Sequence, residues 1–144
     1  MNLHHIWKGA LSGLLATILA SVAIFIQKKI GFSIHFNPIE ALSNGLHLDS
    51  ITHGWYLHYG LGILFGIIFS VIYYHIPGEA KFRGCIYATG IWLLMMLTVM
   101  PLSGMGFFAM HISSNIPMYT FIMHLIYGIF LGITYGWLDK NIDQ

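Results

Sequence analysis

Two histidines stand in matching company. HYGLGILFG at 58–66 returns as HLIYGIFLG at 124–132, so His58 is followed by Gly62 and Gly66, and His124 by Gly128 and Gly132. An imidazole can donate a hydrogen bond, accept one, carry a proton or bind a metal. Two facing each other could ligate a b-type haem axially, with glycines making room for the macrocycle. They could also bind copper with thioether help, since imidazole and thioether together suit Cu(I). Met96 and Met100 lie one turn apart, Met123 adjoins His124, and Met105 and Met110 follow further along. The plainer reading makes the methionines core filling. It has each ring bond the other, a backbone carbonyl, Thr98, Thr120 or a tyrosine such as Tyr127, which would specify helix pairing.

The elements that must position these residues belong to an apolar chain. Of 144 residues, 57% are hydrophobic and 8% are charged, where a soluble domain carries about 25% charged residues. The mean hydropathy is +0.74, so the expected solvent for most of the chain is a lipid bilayer. A net charge of +1 without a basic cluster argues against a nucleic-acid partner. The single cysteine, Cys85, can form neither an intramolecular disulfide nor a cysteine-based zinc site. The length fits one domain, 1–144.

Four apolar runs are expected to be spanning helices, at about 9–27, 50–76, 84–102 and 116–138. The first, Gly9–Ile26, reaches roughly 27 Å at about 1.5 Å per residue, enough for a hydrocarbon core. It runs too long without a break to be a signal peptide and is read as a retained helix. No Asp, Glu, Lys or Arg lies inside the four runs. Within lipid each must satisfy its own backbone, hence a helix. Lys8, Lys81, Arg83 and Lys140 fall on one side and Lys28 and Lys29 on the other, which favours both termini in the cytoplasm. In the first outer loop NPIE, 37–40, reads as a helix start, with Asn37 capping and Pro38 in the first turn. Ile39, Leu42 and Leu46 give that short helix an apolar side, and Gly45 ends it. It should lie at the membrane surface. The second outer loop, 103–115, is uncharged and should lie against the bundle or in the headgroup zone.

At a shift of 66, His58, Gly62, Gly66 and Ser70 fall on His124, Gly128, Gly132 and Gly136. Asp49 falls on Asn115, both suited to capping a helix. The other two spans match more weakly at a shift of 75, where Gly9 falls on Gly84 and Gly13 on Ala88. The simplest reading is two parallel copies of a helical hairpin about a pseudo-twofold along the membrane normal. The small residues of each frame (Gly62, Gly66, Ser70; Gly128, Gly132, Gly136) form one stripe per helix. Such stripes let backbones approach in lipid, where no hydrophobic contrast drives association.

His58 and His124 each come nine residues after the presumed cap, about 13 Å along the helix, and so inside the outer leaflet, where a polar ring calls for a partner or a function. The remaining histidines, His4, His5, His35, His47, His53, His75 and His111, fall at or beyond span ends and should be solvated or interfacial. The outer ones could sense acid or hold metal weakly. Without a carboxylate in a span the usual coupling group of a transporter is missing, and no complete catalytic motif is present.

WLLMMLTVMPLSGMGFF at 92–108 and HLIYGIFLGITYG at 124–136 resemble a family of small four-helix bacterial inner-membrane proteins with a domain of unknown function. The shared elements are Met100-Pro101, Gly104-x-Gly106-Phe107, and His124, Gly128 and Gly132; HYGLGILFG is similar too. A more distant likeness is to the YagU type of inner-membrane protein. The resemblance spans roughly 9–138 and implies a bacterial cytoplasmic membrane, but no activity or ligand. The expectation is therefore an all-α, four-helix integral membrane bundle without enzymatic activity. It would be an accessory or scaffold component, self-associating or docking a membrane partner. A haem or copper site at His58 and His124, with Met96 and Met100 nearby, is the alternative. A transporter or channel built as an oligomer is third.

Overall fold

A computed structural model describes residues 3–29 and 36–142. The described residues form helices and turns without strands. α1 spans Leu3–Lys29, α2 Pro38–Gly45 and α3 Ile51–Ile72, which ends in a 3₁₀ turn, Tyr73–His75. α4 (Ala80–Leu94) continues through a π-helical turn (Met95–Val99) into Met100–Leu102, and α5 spans Ile116–Ile142. Four segments are long and apolar enough to cross a membrane: His4–Ile26, Ile51–His75, Ala80–Leu102 and Ile116–Lys140. The helices extend past the apolar runs at the end where Lys8 and Asp139 lie.

The helices pack in the order α3, α1, α5, α4, with α2 lying on α3. α3 and α4 do not share a close backbone face, and side chains fill between them. Phe69 is at the centre of that filling, with ring centroids 5.4 Å from Tyr73, 5.1 Å from Tyr87 and 5.7 Å from Tyr135. Tyrosine hydroxyls pin this layer to the α3 backbone. Tyr87 donates to the Phe65 carbonyl (2.8 Å) and Tyr127 to that of Gly62 (2.9 Å). Rings of this size fill a wide gap, while the hydroxyls find the partners burial demands.

Where helices touch, small residues make the contact possible. A Cβ added to Gly66 would lie 2.6 Å from Gly13 Cα, and one on Gly9 2.8 Å from Ser70 Cβ. In the other pair, a Cβ on Gly128 would lie 2.9 Å from the Gly84 carbonyl carbon, and one on Gly136 2.6 Å from Ala80 Cβ. Ordinary carbon contacts are about 3.5–4.0 Å. All six stripe residues thus face neighbouring helices of the same chain. The partners differ from the shift of 75. Gly66 faces Gly9 and Gly13, whereas Gly132 faces Ala80 and Gly84; Gly62 faces Gly13 and Thr17, whereas Gly128 faces Gly84 and Ala88. Packing therefore places Gly84 opposite Gly13 and Ala88 opposite Thr17, an offset of 71, one helical turn from the sequence alignment. Backbone approach chooses the smallest side chains at the crossing, and a match of Gly9 with Gly84 along the sequence carries no information about that crossing.

α2 begins as its sequence indicates. The Asn37 side chain accepts from the backbone N–H of Ile39 (3.1 Å) and of Glu40 (3.5 Å), and the helix ends at Gly45. Its buried side is Ile39 and Ser43, not Leu46, which is exposed. Ser43 donates to the Ser50 carbonyl (2.9 Å), and Gly54 of α3 lets the two helices meet there. The cap position of α3 is Ser50 rather than Asp49, and no side chain caps it. In the second outer loop Phe107 is exposed, but Phe108 packs on Trp92 (5.7 Å between centroids) and Ala109 is fully buried against Met96, Met100 and Ile116. This loop lies against the bundle.

Candidate functional site

One cavity of about 320 Å³ opens between the helices at the end that carries α2 and the second outer loop. Its walls include His58 and Gly62 of α3, His124 and Tyr127 of α5, and Thr17 and Ala20 of α1. α4 contributes Met95, Thr98, Val99 and Met100, largely from its π turn. Phe36, Pro38, Ile39 and Leu42 form a roof. The π turn has a local cause. Pro101 has no N–H to bond the Leu97 carbonyl, and the ladder widens just before it, with the Met100 N–H reaching the Met95 carbonyl.

The two histidines are held differently. His58 Nε2 is 3.3 Å from Ser21 Oγ, and the Ser21 hydroxyl donates its only proton to the Thr17 carbonyl (2.8 Å). His58 Nε2 must then be the donor, which leaves Nδ1 with a lone pair. His124 Nδ1 is 2.7 Å from the Thr120 carbonyl. A carbonyl only accepts, so Nδ1 carries the proton and Nε2 keeps the lone pair. At the packing offset of 71 the place of Ser21 falls to Trp92. Its indole donates instead to Thr120 Oγ1 (3.1 Å), so His124 turns to the carbonyl one turn back on its own helix. Each ring is thus held in one neutral tautomer by a bond on one nitrogen, and the other nitrogen keeps its lone pair.

Five hydroxyls of the walls donate to backbone carbonyls. Thr17 donates to Gly13, Thr98 to Leu94, Ser103 to Val99, Thr120 to Ile116 and Tyr127 to Gly62. Met95, Met100, Met105 and Met123 also line the space. Met96, the expected partner of Met100, is instead fully buried against Ala109 and Ile116. Met95, one residue earlier, lines the cavity. Met110 is exposed.

At the opposite end a second polar group gathers that the sequence reading placed outside the spans. Lys8 is fully buried, and its Nζ lies 3.9 Å from Asp139 Oδ1, itself on a side chain only 9% exposed. His5 Nδ1 lies 3.7 Å from the same oxygen and 3.0 Å from the Tyr135 hydroxyl, and Tyr74 donates to the other Asp139 oxygen. His5 is therefore a half-buried member of a polar network and not a solvated end residue. The remaining described histidines, His4, His47, His53, His75 and His111, are exposed, and His35 lies outside the described residues. Among the described residues no three His, Cys, Asp or Glu side chains gather as a metal cage.

The chain belongs to a family of unknown function, DUF6789, whose sequence profile matches residues 3–144. No curated protein and no solved structure matches it.

Proposed function

We propose that the protein is a multi-pass integral membrane protein that binds a ligand between His58 and His124, at outer-leaflet depth, without performing chemistry on it. Both termini would face the cytoplasm of a bacterial cell, on the side of Lys8, Lys81, Arg83 and Lys140. The single observation that carries the reading is the cavity itself, walled by both histidines, each held by a hydrogen bond on one ring nitrogen. The two glycine frames support a duplicated hairpin as the origin of that pairing. A scaffold would need small-residue stripes turned outward, and these stripes are engaged inside the chain. The aromatic layer around Phe69 lies between the cavity and the Lys8–Asp139 cluster, which suits a binding site better than a continuous path.

The test is native mass spectrometry of protein extracted in mild detergent, with metal analysis and an absorption spectrum on the same sample. One adduct or one metal ion per chain is expected, diminished in both His58→Ala and His124→Ala. A bare protein, or an adduct that survives both substitutions, would sink the reading.

A further inference from the structure

The chemistry of the cavity wall restricts what can occupy it. Building on the binding reading above, we infer that the occupant is a soft monovalent metal cation of the Cu(I) class, held by His58 Nδ1 and His124 Nε2 with thioether support.

The argument runs through electron pairs. The wall hydroxyls of Thr17, Thr98, Ser103, Thr120 and Tyr127 have each given their proton to a carbonyl. The two imidazoles have given theirs to Ser21 and Thr120. What these groups still offer is lone pairs, and Met95, Met100, Met105 and Met123 add sulfur lone pairs. Such a wall is a set of Lewis bases and calls for an electron-pair acceptor.

Charge and softness narrow the acceptor further. Among the described residues no Asp, Glu, Lys or Arg lines the cavity. Without an anion to compensate it, an ion at this depth bears a desolvation cost that rises with the square of its charge, so a monovalent ion is far less penalised than a divalent one. Hard cations need oxygen cages and zinc needs four N, S or O ligands, and the described residues gather no group of three His, Cys, Asp or Glu. Two imidazoles with thioethers match Cu(I), which accepts few, soft ligands. Donation by His58 Nε2–H to Ser21 Oγ and by His124 Nδ1–H to the Thr120 carbonyl raises the basicity of the opposite ring nitrogens.

The experiment is a titration of the purified protein with Cu(I) against a chromophoric Cu(I) chelator, repeated with Ag(I) as a redox-inert probe and with Zn(II). One equivalent of Cu(I) or Ag(I) should bind, with Zn(II) at least 100-fold weaker. His58→Ala and His124→Ala should each lower Cu(I) affinity by 100-fold or more. Because an alanine there can loosen the fold, Met100→Leu and Met123→Leu serve beside them. These keep side-chain volume, and a double Met100→Leu/Met123→Leu variant should bind Cu(I) about tenfold or more weakly with its thermal unfolding unchanged. No binding of Cu(I) or Ag(I), binding indifferent to these changes, or Zn(II) bound equally well would overturn the inference. An organic adduct lost on either histidine substitution would overturn the cation and leave the cavity reading standing.

Discussion

Gly66→Ala should lower stability by at least about 2 kcal/mol, and Gly66→Leu should leave little folded protein. A methyl group on Gly66 would lie 2.6 Å from Gly13 Cα and 2.8 Å from its backbone nitrogen. These are main-chain atoms, so no side chain can swing aside, and the two helices must move apart. Overpacking by a methylene costs about 1–3 kcal/mol where side chains can yield; here the whole α1–α3 seam opens. On the membrane reading proposed above, that seam is held by close packing and not by hydrophobic contrast, so a widened seam loses most of what holds it. Gly128→Ala should behave alike, since its methyl would meet Ala88 Cβ at 2.5 Å and the Gly84 carbonyl carbon at 2.9 Å. Gly60 and Gly90 are the internal controls. Nothing lies within 4 Å of a Cβ at either, and alanine there should be neutral or stabilising by up to about 1 kcal/mol. Helicity followed through a denaturing-detergent titration measures all four. Equal behaviour of Gly66→Ala and Gly60→Ala would contradict the packing described.

Asp139→Leu should cost about 3–5 kcal/mol, the usual effect of removing one partner from a buried ion pair. Lys8 is fully enclosed and depends on Asp139, 3.9 Å away, for compensation of its charge. The same carboxylate receives Tyr74 and lies 3.7 Å from His5, so its loss disturbs donors from α1 and from the end of α3 together. Lys8→Met should be comparably damaging, because it leaves the carboxylate buried with its charge uncompensated. The double variant Lys8→Met/Asp139→Leu should recover much of the loss, since two well-packed apolar side chains can replace a buried pair at little net cost. Thermal unfolding of the four proteins in one detergent closes the cycle. Strict additivity of the two single losses would show that Lys8 and Asp139 do not act as a pair, and the network would then have no role in joining the first and last helices.

The sequence by itself determined the elements. Charge-free apolar runs between turn-forming residues can only be helices, because no other local structure satisfies every backbone group among so many apolar side chains. Asn37 and Pro38 set the start of α2 through bonds only two and three residues away, so that feature was legible too. The histidine–glycine frames marked the faces on which α3 and α5 meet their neighbours, because stripe spacing is a property of one helix alone. What only the tertiary structure decided was everything that depends on how two helices slide and rotate against each other. The offset of 71 follows from which backbones touch, and the weak match at 75 reported only neighbours in sequence. Met95 took the place expected of Met96 because a π turn ahead of Pro101 alters the phase of α4, and an α-helical period cannot show that. Lys8, His5 and Asp139 looked like span ends because hydropathy reads each charge as wet. It took α1 packed beside α5 to bring opposite charges together and make burial tolerable. The cavity, too, exists only because α3 and α4 stay apart while the glycines draw their partners close, a difference between distances that no single helix contains.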